Sequence, residues 1–109
     1  MIRLVAFLKR KPGLSQEEFQ QHWREVHGPL IASSGVARYI TRYEQCQPLG
    51  SPGDWDGVTV QDFASLEDFE AMLADPDYAA RIHPDEESFL DMEALVWLLT
   101  EEPHVVIEP

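Results

Sequence analysis

Apolar residues alternate with period two near both ends of the chain and recur at helical spacing in between. From Ile2 to Lys9, the residues Ile2, Leu4, Ala6 and Leu8 fall on one face and Val5 and Phe7 on the other, which predicts a strand buried on both sides. Met92 to Leu99 repeats this, with Ala94, Val96 and Leu98 on one face and Leu95, Trp97 and Leu99 on the other. In the stretch from Ser15 to Ala32, the residues Phe19, Trp23, Val26 and Leu30 form one apolar stripe. Ser15 with Glu18 is a capping box at its start, and Leu14 with Phe19 stands where a hydrophobic staple belongs. His27-Gly28-Pro29 predicts a kink or break directly after His27, because proline disfavours helical geometry in the residue before it and glycine lowers the cost of leaving it. Such a break exposes the imidazole.

A second strand is predicted from Val36 to Gln45, with Tyr39, Thr41 and Tyr43 on one side and Arg38, Arg42 and Glu44 on the other. Gln47 to Asp56 has loop composition with Trp55 as its apolar anchor, and Gly57 to Phe63 reads as a third strand. Ser65 to Leu73 then repeats the opening theme, since SLEDF has the layout of SQEEF. Asp75-Pro76 and His83-Pro84 break this second helical region into two or three pieces ending near Leu90. The tail HVVIEP predicts a short edge strand.

The order βαββαβ predicts an α+β fold of the ferredoxin-like kind, one domain over residues 1–109, with an antiparallel sheet carrying its helices on one face. The first and fourth strands are apolar on both faces, so something must cover the face the helices leave bare. A homodimer packed sheet against sheet does this most economically.

Charge narrows the function. Eight Lys and Arg against twenty Asp and Glu give a formal net charge of −12. Binding to nucleic acid or an anionic membrane needs a basic face, so neither partner is expected. The opening MIRLVAFLKRK is too short and too charged for a signal peptide or a span, and Cys46 stands alone, which together predict a reducing, cytoplasmic setting. A thiolate zinc site is ruled out by the cysteine count. His22 and His27 lack the one-turn spacing of a helical metal pair, so no metal and no cofactor are called for unless Asp62 or Glu44 converges on them.

His27 is the first catalytic candidate. An imidazole beside an apolar cavity can move a proton at neutral pH, although the same ring also suits a plain hydrogen bond at a helix end. Tyr39 is the preferred phenol for orienting a carbonyl, with Tyr43 read as cross-strand packing. Asp62 interrupts an apolar strand face and is an acid or base, or the ion-pair partner of Arg38 or Arg42. His22, Trp23, Phe7 and Trp97 are substrate-binding candidates, alongside Trp55 and Phe63, although aromatic residues at these spacings also serve a core. Asp85-Glu86-Glu87 and Glu101-Glu102 read as solvated faces, and Cys46 as a small strand-end residue.

PGLSQEEFQQHWREVHGPLIA, preceded by a strand and followed by another near Tyr39, resembles the EthD family of the dimeric α/β-barrel superfamily. The sharpest part is the helix with Phe19, Trp23 and the ending His27-Gly28-Pro29. The resemblance implies a ferredoxin-like protomer, a dimer with facing sheets, and a cleft between each sheet and its helices. It further implies chemistry like that of small dehydratases, cyclases or decarboxylases acting on aromatic polyketide intermediates. The expected ligand is therefore a small apolar or aromatic molecule, with His27 as general acid/base and Tyr39 or Asp62 positioning it. The rival expectation is a noncatalytic accessory or ligand-binding protein of a degradation pathway. A haem-handling role, known in the superfamily, fits poorly because the acidic composition lacks cations to receive propionates.

Overall fold

The apolar opening stretch forms the strand its pattern predicts, and three more strands pair around it. The computed structural model describes residues 1–51 and 53–109. In it β1 (Ile2–Leu8), β2 (Ile40–Cys46), β3 (Gly57–Phe63) and β4 (Val96–Glu101) make an antiparallel sheet in the order β2-β3-β1-β4. Three helices lie on one face: α1 over residues 16–33, α2 (Leu66–Ala74) and α3 over residues 78–89. This is the ferredoxin-like fold. No helix among the described residues is long and apolar enough to cross a membrane.

Local chemistry sets each helix. The Ser15 hydroxyl accepts the Glu18 amide at 3.0 Å while the Glu18 carboxylate accepts the Ser15 amide at 2.9 Å, so the capping box closes from both sides. Ser65 caps α2 through its hydroxyl, which accepts the Asp68 amide at 3.2 Å. Asp75-Pro76 does end α2.

The two remaining prolines do not break their helices. α1 passes from an α segment, Gln16–His22, through a π turn, Trp23–His27, to a second α segment, Gly28–Ser33. The Gly28 amide reaches back five residues to the Trp23 carbonyl, and the widened turn makes room for the Pro29 ring. α3 uses the same device: a π turn, Tyr78–Ile82, closed by the His83 amide on the Tyr78 carbonyl, then Pro84. The predicted break after His27 is thus a change of register, and the imidazole, 5% accessible, is buried rather than exposed. The extra residue also turns the apolar stripe. Beyond Trp23 it runs through His27 and Ile31, which are buried, while Val26 is 46% accessible.

Three other boundaries differ from the pattern. Gly35–Tyr39 is a 3₁₀ turn, held by the Ser34 hydroxyl on the Val36 amide and by Asp77 on the Gly35 amide at 2.7 Å, so the strand begins only at Ile40. Asp91 accepts the amides of Glu93 and Ala94, forming a turn where the fourth strand was expected to start. Val105 to Ile107 form no edge strand and stand exposed.

Between sheet and helices lies the core, built from Ala6, Leu8, Phe19, Trp23, Phe89 and Leu90 at one end and Ile31, Val36, Phe63, Phe69, Met72 and Ile82 at the other. The opposite face of the sheet carries Val5, Phe7, Val58, Val60, Val96 and Leu98, with no helix over it among the described residues. Phe7, Val96 and Leu98 are 38%, 51% and 63% accessible.

Candidate functional site

The two halves of the core do not meet, and the gap is a cavity of about 180 Å³. Its sheet wall includes Leu4, Ala6, Leu8, Tyr43, Thr59 and Gln61, and its helix wall includes Trp23, His27, Ile31, Ile82, Glu86 and Phe89. A dry cavity of roughly 150 Å³ accommodates benzene, so this one suits a small ring compound. Trp97 and Leu73, 54% and 44% accessible, line it at the β4 edge and mark its mouth.

The π turn in α1 places His27 on this wall. Its Nδ1 lies 2.8 Å from Oδ2 of Asp85, the residue after Pro84 in α3. With Nδ1–H donated to the carboxylate, Nε2 is the nitrogen left as acceptor for anything in the cavity. The other Asp85 oxygen, Oδ1, lies 2.9 Å from Nε2 of His22. Among the described residues, these two imidazoles are the hydrogen-bond partners of the Asp85 side chain. Phe89 packs against both rings, with centroids 4.7 Å from His22 and 4.9 Å from His27. The π turn itself is secured by Gln45, whose amide donates to the Trp23 carbonyl at 2.8 Å. Trp23 lies so close over β3 that a Cβ on Gly57 would fall 2.6 Å from Cη2.

Two phenols line the cavity. Burial pushes the Tyr43 hydroxyl above its ordinary pKa, against the hydrogen bonds it receives, so it is a neutral donor at physiological pH. Tyr78 is raised further, first by burial and then by the charge of Glu86, to whose carboxylate it donates at 2.9 Å. His83, on the surface, approaches the same carboxylate at 3.4 Å.

The sequence candidates separate. His27, Trp23 and Trp97 line the cavity. Tyr39 does not: its hydroxyl donates to Asp75 at 3.0 Å, because the 3₁₀ turn and a bulge between Ile40 and Arg42 interrupt the alternation that placed it beside Tyr43. Asp62 faces the other side of the sheet in a two-pronged pair with Arg3 at 2.7 and 3.1 Å, and this hydrogen bonding, opposed by burial, holds its carboxyl below the usual range. Phe7 packs edge-on against Trp55 on that outer face, because residues of β1 alternate and its odd positions point away from the helices. His22 lies behind Asp85, outside the cavity lining. Asp85 and Glu86, read as solvated, are the residues the pattern missed. A usable signal was present, since Trp23 to Pro29 and Tyr78 to Pro84 have equal length and mark two matching turns.

Cations are kept elsewhere. Arg3, Arg10, Arg38, Arg42 and Arg81 pair with Asp62, Asp56, Asp75, Glu44 and Asp77. Lys11 and Arg24 bond the Glu87 carbonyl and the Gln47 side chain, and Lys9 is exposed in the cleft beyond β1.

Comparison with known proteins adds to this geometry. The model of the EthD domain matches residues 11–93. The chain is 28% identical over 106 residues to a dehydratase, aurZ, of Gibberella zeae, taking in 84% of this chain and 70% of that protein. A solved EthD family protein of Bacillus halodurans matches with a TM-score of 0.73 at 18% identity, over 94% of this chain and 99% of that one. A dimeric ferredoxin-like protein of unknown function from Thermobifida fusca matches with a TM-score of 0.67 at 20% identity, over 91% of this chain and 88% of that one. At these identities the likeness to the solved structures is one of fold.

Proposed function

This chain belongs to the EthD family, and on that premise we propose that it is a dehydratase acting on a small β-hydroxy carbonyl compound, with His27 as base and then acid. The observation that carries the reading is the pairing of a cavity-lining imidazole with a carboxylate that fixes its tautomer, at 2.8 Å. A histidine that only sealed a helix end has no need of it. The dehydratase relative supports the reaction class.

Nε2 of His27 takes the proton from the carbon next to the carbonyl, and the Tyr43 phenol donates a hydrogen bond to the carbonyl oxygen as negative charge develops there. Asp85 accepts the Nδ1–H throughout and stabilises the imidazolium. That imidazolium returns its proton to the departing β-hydroxyl, so the C–H and C–O bonds break, a C=C bond forms and water leaves. The base is regenerated within one cycle. Trp23, Phe89 and Ile31 keep bulk water from the enolate.

The outer face of the sheet supplies the partner. A second copy laid against Phe7, Val96 and Leu98 covers them, in line with the dimeric neighbour. Sedimentation should return twice the 12.5 kDa chain mass, and a stable monomer at micromolar concentration would remove this part.

A neutral bicyclic β-hydroxy ketone, 3-hydroxy-1-tetralone, tests the reaction, because loss of water yields fluorescent 1-naphthol. The wild-type protein should accelerate its formation, and His27→Ala should lower the rate by about 10²–10⁴-fold while leaving the fold unchanged. Equal rates for the two proteins would overturn the proposal.

A further inference from the structure

Of the eight Lys and Arg in the chain, none is among the residues lining the cavity, and every one is placed on another face or bonded elsewhere. The lining does hold one acid, Glu86, fixed by the Tyr78 hydroxyl. We infer that the site selects uncharged hydroxy-carbonyl compounds and rejects carboxylates, so that the substrate is a neutral ring ketone bearing a hydroxyl and not a ring acid. This rests on the cavity being the ligand site proposed above.

A carboxylate brought from water into an apolar cavity loses its solvation and needs a fixed cation or several donors in return. Here the sheet wall offers the neutral donors Tyr43, Thr59 and Gln61 but no cation, and the helix wall sets Glu86, a like charge, against them, so the donors are opposed and the lost solvation is not made good. A neutral hydroxy ketone meets the opposite situation. Its carbonyl can accept from Tyr43 or Gln61, and its hydroxyl can donate to Glu86. His27 is already committed through Nδ1 to Asp85, so the charge of that carboxylate also lies close to the site. The exclusion separates two chemistries open to such a site. Water loss from a neutral hydroxy ketone proceeds, whereas decarboxylation must begin by binding an anion. The reaction that supplies the substrate therefore delivers a compound without a free carboxyl on the ring held in the cavity.

A near-isosteric pair tests this: 2′-hydroxyacetophenone and salicylate, which differ by a methyl group in place of a carboxylate oxygen. Titration of each into the wild-type protein at neutral pH, followed by amide shifts of Tyr43, Thr59 and Gln61, should show the ketone binding at least tenfold more tightly. Glu86→Gln should narrow that ratio by improving salicylate binding. Equal binding of the two, or preference for salicylate, overturns the inference and leaves the ligand site standing. Binding of neither at the cavity overturns both.

Discussion

The two long helical arms, α1 and α3, share one design and deliver different chemistry. Each has an aromatic residue opening a π turn six positions before a proline, Trp23 before Pro29 and Tyr78 before Pro84. Each turn presents its opening aromatic and the residue two positions before the proline to the cavity, and at the second of these the arms diverge: His27 in the first, Ile82 in the second. One and two positions after the proline, the second arm instead supplies Asp85 and Glu86. The equivalent positions in the first arm are Leu30 and Ile31. A repeated backbone device thus builds a one-sided site, with an imidazole from one arm and carboxylates from the other. The wide turn is what permits it, because a regular α turn ahead of Pro29 leaves Val26, not His27, on the buried stripe.

Breaking the carboxylate side of this asymmetry has the largest expected consequence. Asp85→Asn replaces an acceptor with a group that can present its amide to Nδ1, which inverts the tautomer of His27 and removes the base. Turnover of 3-hydroxy-1-tetralone should fall by about 10²–10⁴-fold with little change in KM. Gly57→Ala attacks the seat of the first arm, since its methyl group overlaps the Trp23 ring. Thermal or denaturant unfolding should show a loss of about 1–3 kcal/mol, and an unchanged stability would mean that Trp23 is not seated as described. His22→Ala should be milder. It frees Oδ1 of Asp85 and so loosens the carboxylate while removing no side chain from the cavity lining. A kcat loss of about tenfold is expected, the size of one hydrogen bond to a charged group, with partial rescue in His22→Gln, whose amide can donate to the same oxygen. Failure of the glutamine to recover any of that loss would assign His22 to packing on Phe89.

The fold was legible because its signals are local and strong. Alternation in Ile2 to Leu8 and the Ser15-Glu18 box each depend on a few adjacent residues, and both appear as read. A place beside a cavity could also be read from the sequence for His27, Trp23 and Trp97, and all three line it. What the pattern could not carry was phase. One residue inserted by the π turn swapped Val26 for His27 and buried Ile31 beside the half-buried Leu30, and the 3₁₀ turn with its bulge kept Tyr39 from the cavity and left Tyr43 in it. Asp62 was misplaced for a related reason: alternation assigns it a face of β3 but does not say which face the helices cover. The acidic run after Pro84 looked like solvated surface because Asp85 finds its partners 58 and 63 residues away, a separation that no window on the sequence spans.

The central claim is that His27 stands with Nδ1 protonated against Asp85 and Nε2 open to the cavity. Nitrogen-15 NMR of the His27 ring, recorded with and without saturating 2′-hydroxyacetophenone, reads both points at once. The account predicts a protonated Nδ1 and an unprotonated Nε2 whose resonance moves when the ketone enters. A neutral ring protonated at Nε2, or an Nε2 signal that stays still while the amides of Thr59 and Gln61 report an occupied cavity, would contradict it.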